Sequence, residues 1–344
     1  MSGTGWTPGA NTLYRNVEIL AAAQAPRSYA LRLGLAWGFG LPTDGRSDLT
    51  EFSFPLRPAD DVPSLLRARG GLRVDSHEDP AGTELDDHLR ATGEPVIAVV
   101  DSFALPYRPA YGRVHSSRTI IVEPLDRDHV LVDDYWEPTY RGPMHRRDLD
   151  IARRSEAVAD LPLEPIFHGG QGQAQWFTVT VDPFPVGDPA RWATEMIGTL
   201  VREMTAPADP VDAPGVSFGL AALRELVDLM AAGGDALWPA VPRRTLALVL
   251  RAELSVRRYL CVLLRNAVRL AGWPALVLDV DQYEQGLRHL QAARDVLTKS
   301  LRGDRTEYDG YVLARLRDAL AMEERLLAAL TGAGLPVLAG VTAA

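Results

Sequence analysis

The chain has a single cysteine, Cys261, and a single lysine, Lys299, in 344 residues. One cysteine excludes an intramolecular disulfide and any zinc site built from cysteines. The shortage of lysine beside abundant arginine reflects coding bias and carries no chemistry of its own. Aromatic residues are sparse at 7%. Apolar runs stay well short of the roughly 18 residues a spanning helix needs. The opening MSGTGWTPGANTLYRNVEIL has neither a basic stretch nor an apolar core, so no secretory signal is expected. Positive charge is also in deficit: the net charge is −9 and the pI about 5.3. That balance argues against nucleic acid as a partner, as does the lack of interleaved aromatic and basic residues. A cytoplasmic protein with no membrane partner is expected, and the sequence leaves its oligomeric state open.

What is present is an ordinary globular composition, 47% hydrophobic and 24% charged, on a chain longer than one core usually carries. Two domains are expected, because the pattern changes near residue 185. Before it lie strand-like runs at Val96 to Val100, Thr119 to Val122, Val130 to Asp133 and Trp176 to Val181. Short helical patterns fall between Val17 and Gly34, Val62 and Arg69, and Leu85 and Thr92. From Pro189 onward the periodicity is helical. Leu287, Leu290, Leu297 and Leu301 mark one face, and Leu313, Leu316, Leu320, Leu327 and Leu330 mark another. Proline-rich VDPFPVGDPARW and TAPADPVDAPG punctuate the change. The expected fold is therefore α+β over residues 1–185, followed by an all-α domain over 189–333. Cys261 sits in the apolar run TLALVLRAELSVRRYLCVLLRNAV and reads as a buried, inert thiol. Trp37 and Phe39 read as core, and Phe167 to Gln175 as a flexible loop.

The stretch from Pro95 to Trp136 carries the chemistry. His115 opens one β-branched run, and Asp133 and Asp134 close the next. A strand, a turn around Asp126 to His129 and a return strand would bring imidazole and carboxylate together as a base and its orienter. The same residues also fit a plain strand cap and a turn-forming Asp pair. Between the runs, Tyr107, Arg108 and Tyr111 lie in a loop stiffened by Pro106 and Pro109. It is either a surface loop or a wall of a cleft. Asp101, at the end of the preceding strand, is placed to anchor that loop. Ser116 and Ser117 are poor nucleophiles for His115 on strand alternation. A metal set of His115, His129, Asp133 and His145 has only weak spacing support. No cofactor is expected.

The segments VVDSFALPYRPAYGRVHSSRTIIV and VLVDDYW resemble the N-terminal domain of the butirosin-biosynthesis protein H family. That family is papain-like and akin to C39 peptidases. GVSFGLAALRELVDLMAAGG and the helix of Arg251 to Val268 resemble the helical region that follows in it. The resemblance implies antibiotic or other natural-product biosynthesis, with an acyl group moved from a carrier-protein thioester to an amine. It also implies a Cys, His and Asp catalytic set. His falls on His115, and Asp on Asp133 with Asp134 beside it. The cysteine position reads Asn16 (or Arg15 at one residue's slip), which cannot form a thiolate. Three expectations follow: acyl transfer by direct, His-assisted attack; a catalytically silent relative that binds a carrier protein or other partner; or a site reused for cyclisation or rearrangement, with Glu18 as an acid. In the first, a helix N-terminus near Asn16 helps hold the oxyanion. Docking of an acidic carrier protein would draw on the arginine pairs Arg146-Arg147, Arg153-Arg154 and Arg243-Arg244. Arg257 and Arg258 are candidates to line a groove between the domains.

Overall fold

The computed structural model describes residues 10–26, 28–34, 37, 40–42, 62–79, 82–135, 138–156, 174–183, 187–205, 216–233, 243–301 and 306–333. Phe39, the segment Phe167 to Gln173 and TAPADPVDAPG from Ala206 onward lie outside the described residues. The chain forms two units, Met1–Tyr29 with Asp61–Asp182, and Ala30–Asp60 with Pro183–Ala344. The chain therefore crosses between units three times, whereas the sequence suggested one change of character near residue 185.

The first unit contains helices α1 (Ala10–Gln24), α2 (Val62–Gly70), α3 (Glu84–Thr92) and α4 (Arg146–Arg153). Its strands are β1 (Leu72–Glu78), β2 (Val96–Asp101), β3 (Ser117–Pro124), β4 (His129–Asp134), β5 (Tyr140–His145) and β6 (Gln175–Val181). They form one sheet in the order β1-β6-β2-β3-β4-β5, every neighbouring pair antiparallel. β2, VIAVVD, is buried along its whole length, as a β-branched run covered on both faces should be. Register and strand alternation assign the faces. Ala98, Val100, Ile120, Val122, Val130 and Val132 pack into one core with Leu85 and Leu89 of α3 and Leu149 and Ala152 of α4. The opposite face bears Val99, Asp101, Ser117, Thr119, Ile121 and Asp133. α1 covers part of it through Leu13, Tyr14, Val17, Leu20 and Ala21, all buried at helical spacing.

Local chemistry explains the boundaries. α1 ends at Gln24 instead of running to Gly34, because Pro26 restricts the residue before it. α3 stops at Gly93, whose φ of 70° takes the left-handed cap position and whose N–H reaches Leu89 O at 3.1 Å. The β3–β4 turn is held by Asp126, whose Oδ1 accepts from the N–H groups of Asp128 and His129 at 2.8 and 2.7 Å. β1 and β5 gave no clear strand signal. Both are edge strands with half-exposed faces, where a hydrophobic run is not needed and Pro143 is tolerated.

The second unit is mainly helical: α5 (Pro189–Thr205), α6 (Gly219–Ala232), α7 (Arg243–Ala271), α8 (Val277–Ser300) and α9 (Asp309–Gly332). A short antiparallel ribbon pairs Gly40–Pro42 with Val216–Phe218. α5 begins Asp188-Pro189, with Asp188 Oδ1 accepting from Ala190 N at 3.0 Å and proline at the first helical position. α8 packs against both α7 and α9. The buried stripe of α9 is Val312, Leu316, Ala319, Met322, Glu323, Leu326 and Leu330. Leu313, Leu320 and Leu327 flank it, half-buried, and Leu301 after α8 is exposed. Within this core the Glu323 carboxylate accepts from Trp37 Nε1 at 2.6 Å, from Arg257 Nε at 2.5 Å and from the Tyr283 hydroxyl at 3.1 Å. Arg257 also pairs with Glu253. Cys261 is buried, and burial pushes its thiol up to about 12. Among the described residues no helix is long and apolar enough to cross a membrane.

Candidate functional site

The end of the sheet where β2 finishes and β3 begins gathers most of the residues singled out by sequence. Asp101 ends β2 directly opposite Ser117. The ladder continues one step through Ser102 N to Ser116 O at 2.9 Å, which sets Phe103 across from His115. Their rings stack with centroids 4.2 Å apart and planes 17° apart. His115 is therefore the diagonal neighbour of Asp101 on one sheet face. Its Nδ1 lies 2.5 Å from Asp101 Oδ2, and the imidazole is fully buried.

This corrects the expected pairing: the carboxylate that orients His115 is Asp101, from the strand before it. Asp133 stands opposite Ile121, well along β3 from His115. Its Oδ2 is buried and lies 3.4 Å from Arg141 Nε, with no hydrogen bond among the described residues. Burial, aided by the nearby Asp133 carboxylate, lifts the Tyr135 hydroxyl to about 12. Asp134 points to the other face, because adjacent strand residues alternate. There it accepts from Arg108 Nε at 2.9 Å and from Arg118 Nη2 at 3.0 Å. The Tyr107 hydroxyl lies 3.4 Å from Asp134 Oδ2, and its ring stacks on Tyr140 with centroids 3.9 Å apart. Burial and then the Asp134 charge push the Tyr107 hydroxyl up. Burial also lowers the Arg118 guanidinium, against the pull of Asp134. Tyr107 and Arg108 thus lock their loop onto the sheet, while Tyr111 is 52% exposed at its surface.

Asp101 is saturated. Its Oδ1 accepts from Phe103 N and Ser116 N, both at 3.0 Å. Its Oδ2 accepts from Ser155 Oγ at 2.7 Å besides meeting His115. A carboxylate fixed by so many donors favours the imidazole tautomer that carries its proton on Nδ1.

Asn16 is the seventh residue of α1 and not at its N-terminus, so the expected helix-end anion site does not arise there. Its Nδ2 donates to Thr119 Oγ1 at 3.1 Å. Thr119 Oγ1 in turn donates to Thr12 Oγ1 at 2.8 Å, and Thr119 N reaches the same oxygen at 3.0 Å. A partly buried polar ladder thus ties α1 to the sheet face that carries Asp101 and His115. Glu18 pairs with Arg15 along the helix. Ser117 shares that sheet face, whereas Ser116 alternates to the other. Ser155, Phe103, Thr12 and Thr119 escaped the sequence reading. Ser155 joins Asp101 across 54 positions of chain and Thr119 joins Asn16 across 103, and no short motif records such contacts.

At least one arginine of each expected docking pair is held in an ion pair, while Arg147 is exposed. Arg153 is buried on Asp79 at 3.1 Å, Arg146 pairs with Asp86, and Arg243 pairs with Asp309 at 2.8 Å. Arg257 lies inside the helical core, fully buried, whereas Arg258 is exposed. His129 and His145 face each other across β4 and β5 with ring centroids 5.3 Å apart. His115 is held apart on Asp101, and among the described residues no group of three or more His, Cys, Asp or Glu could hold a metal ion. A scan of protein-family models finds none that matches this chain, and a search of curated proteins returns no match.

Proposed function

We propose that the chain is a papain-like acyltransferase of natural-product or antibiotic assembly. It would move an aminoacyl or peptidyl group from a carrier-protein thioester to an amine without a cysteine nucleophile. The observation that carries this reading is the His115–Asp101 pair, 2.5 Å apart and buried on the sheet face that α1 covers. Helix, histidine strand and orienting carboxylate are the parts a papain-like site uses, and Asn16, which the resemblance aligns with the cysteine, lies on that helix at its seventh residue instead of at its opening. In the proposed step, His115 Nε2 takes a proton from the acceptor amine as its nitrogen attacks the thioester carbonyl. The carbon–sulfur bond then breaks, and the imidazolium returns the proton to the departing thiolate. The second N–H of the Asn16 amide, beyond the one on Thr119, is the candidate donor to the oxyanion. A thioester is activated already, so positioning supplies much of the remaining barrier.

A second reading is favoured by one observation: His115 is 0% exposed. A fully enclosed imidazole suits a relative that binds a carrier protein or partner without turnover, or one that shuttles protons on an enclosed intermediate during cyclisation. Turnover assays separate these readings. Acyl thioesters, free and carrier-tethered, would be offered with a panel of amines to wild type, His115→Gln and Asn16→Cys. Acyl transfer requires amide formation in wild type and a loss of at least about 100-fold in folded His115→Gln. Equal rates in both would sink the base mechanism. A covalent acyl adduct formed by Asn16→Cys would support the papain-like placement of α1.

A further inference from the structure

We infer that Ser155 is a positioning residue for His115, acting through Asp101; the catalytic part of this inference rests on the proposed acyl transfer, and the structural part does not. The two oxygens of Asp101 are held differently. Oδ1 is fixed by two backbone N–H groups, from Phe103 and Ser116, each at 3.0 Å. These come from the backbone that shapes the strand end and would persist in any side-chain variant. Oδ2 meets only side chains: His115 Nδ1 at 2.5 Å and Ser155 Oγ at 2.7 Å. The oxygen that fixes the imidazole tautomer therefore depends on one serine hydroxyl for its second bond. A carboxylate oxygen has two lone pairs in its plane, so the two donors divide it between them and set its direction.

Ser155 comes from a separate element. It follows α4, whose last turn closes with Arg154 N on Asp150 O at 3.1 Å, and α4 packs on β2 and on the short turn after it. The position of the hydroxyl is thus set by the helix on the core face, while the imidazole it serves lies on the opposite face. Removing it leaves Oδ2 free to turn about the Cβ–Cγ bond, against only the hold of Oδ1 and His115. A hydroxyl donor to a charged acceptor is among the stronger hydrogen bonds, so its loss should be felt at Nδ1 even where the fold is unchanged.

The test compares wild type, Ser155→Ala and Ser155→Thr in the full chain, labelled with ¹⁵N. The Nδ1 proton of His115 should give one low-field signal, assigned by its loss in His115→Gln. In Ser155→Ala that signal should move upfield by about 1 ppm or broaden away, with the ¹⁵N shifts showing a mixture of tautomers; Ser155→Thr should restore it. With a thioester and amine that wild type turns over, Ser155→Ala should lower kcat about tenfold with KM little changed, again restored by threonine. A purely structural serine would change stability and leave the Nδ1 signal of the folded protein where it was, and that result would overturn the inference. If wild type turns over nothing while the signal responds as described, acyl transfer fails and the positioning role stands.

Discussion

Replacing Glu323 tests whether the buried network of the helical unit is as tightly held as its geometry states. The carboxylate accepts from three side chains, Trp37 Nε1 at 2.6 Å, Arg257 Nε at 2.5 Å and Tyr283 OH at 3.1 Å, and all four residues are at most 1% exposed. Glu323→Ala strands the indole N–H and the phenol O–H, at about 1–3 kcal/mol each. It also leaves Arg257 with Glu253 as its remaining carboxylate in this network, and breaking a buried ion pair costs about 3–5 kcal/mol. These contributions overlap because one carboxylate serves all three donors, so the expected loss is about 4–8 kcal/mol. That is a large share of the total stability of a domain, about 5–15 kcal/mol. Glu323→Gln keeps an acceptor for Trp37 or Tyr283 and should lose distinctly less. Urea unfolding followed by circular dichroism measures both variants, and the part of the tryptophan emission lost in a Trp37→Phe control reports on the network. A loss below about 1 kcal/mol in Glu323→Ala would refute the reasoning, because it would mean that water reaches the three donors when the carboxylate is gone.

Two further outcomes are expected. Burial raises the Glu253 carboxyl to about 7, against the opposing pull of Arg257. A folded-state value above the unfolded one of about 4.3 means that the native state binds the extra proton, so this group's contribution to stability falls as pH rises from about 4.3 to about 7 and then levels. Unfolding measured across pH 4 to 8 should show that decline in wild type and not in Glu253→Gln; parallel curves would refute it. Ser117→Ala should keep most of any acyl-transfer activity, because Ser117 lines the sheet face beside Asp101 without serving as nucleophile in a direct attack. A loss as deep as that of His115→Gln, together with an acyl group on Ser117 by mass spectrometry, would replace direct attack with a covalent route.

The sequence made the central strands legible and the edges illegible, for one physical reason. β2, β3, β4 and β6 bury β-branched side chains and must announce themselves as apolar runs. β1 and β5, with one neighbour each and half-exposed faces, are specified by pairing, which leaves little trace in composition. The second unit followed the same logic. Its helices were readable from periodicity, yet the buried stripe of α9 includes Glu323 and Ala319 and leaves Leu313 and Leu320 at its margins. A count of leucines could not see that one buried position is polar because Arg257, Tyr283 and Trp37 converge on it from elsewhere in the chain.

The site shows where a spacing argument ends. Eighteen residues separate His115 from Asp133, and a strand, turn and return strand do connect them as expected. A hairpin of that length, however, returns opposite a position fixed by its turn. With Asp126 closing the turn, Asp133 comes to rest beside Ile121, six residues along β3 from His115. The carboxylate that reaches the imidazole instead comes from the strand on the other side, where the β2–β3 register sets Asp101 diagonal to His115. Alternation then divides the neighbouring charges: Asp101 and His115 fall on the face shared with α1, and Asp134 with Arg108 and Arg118 falls on the other. One sheet end thereby carries a clamp that holds the loop of Tyr107 and Arg108 in place, and, through the sheet from it, the His115 imidazole held on Asp101.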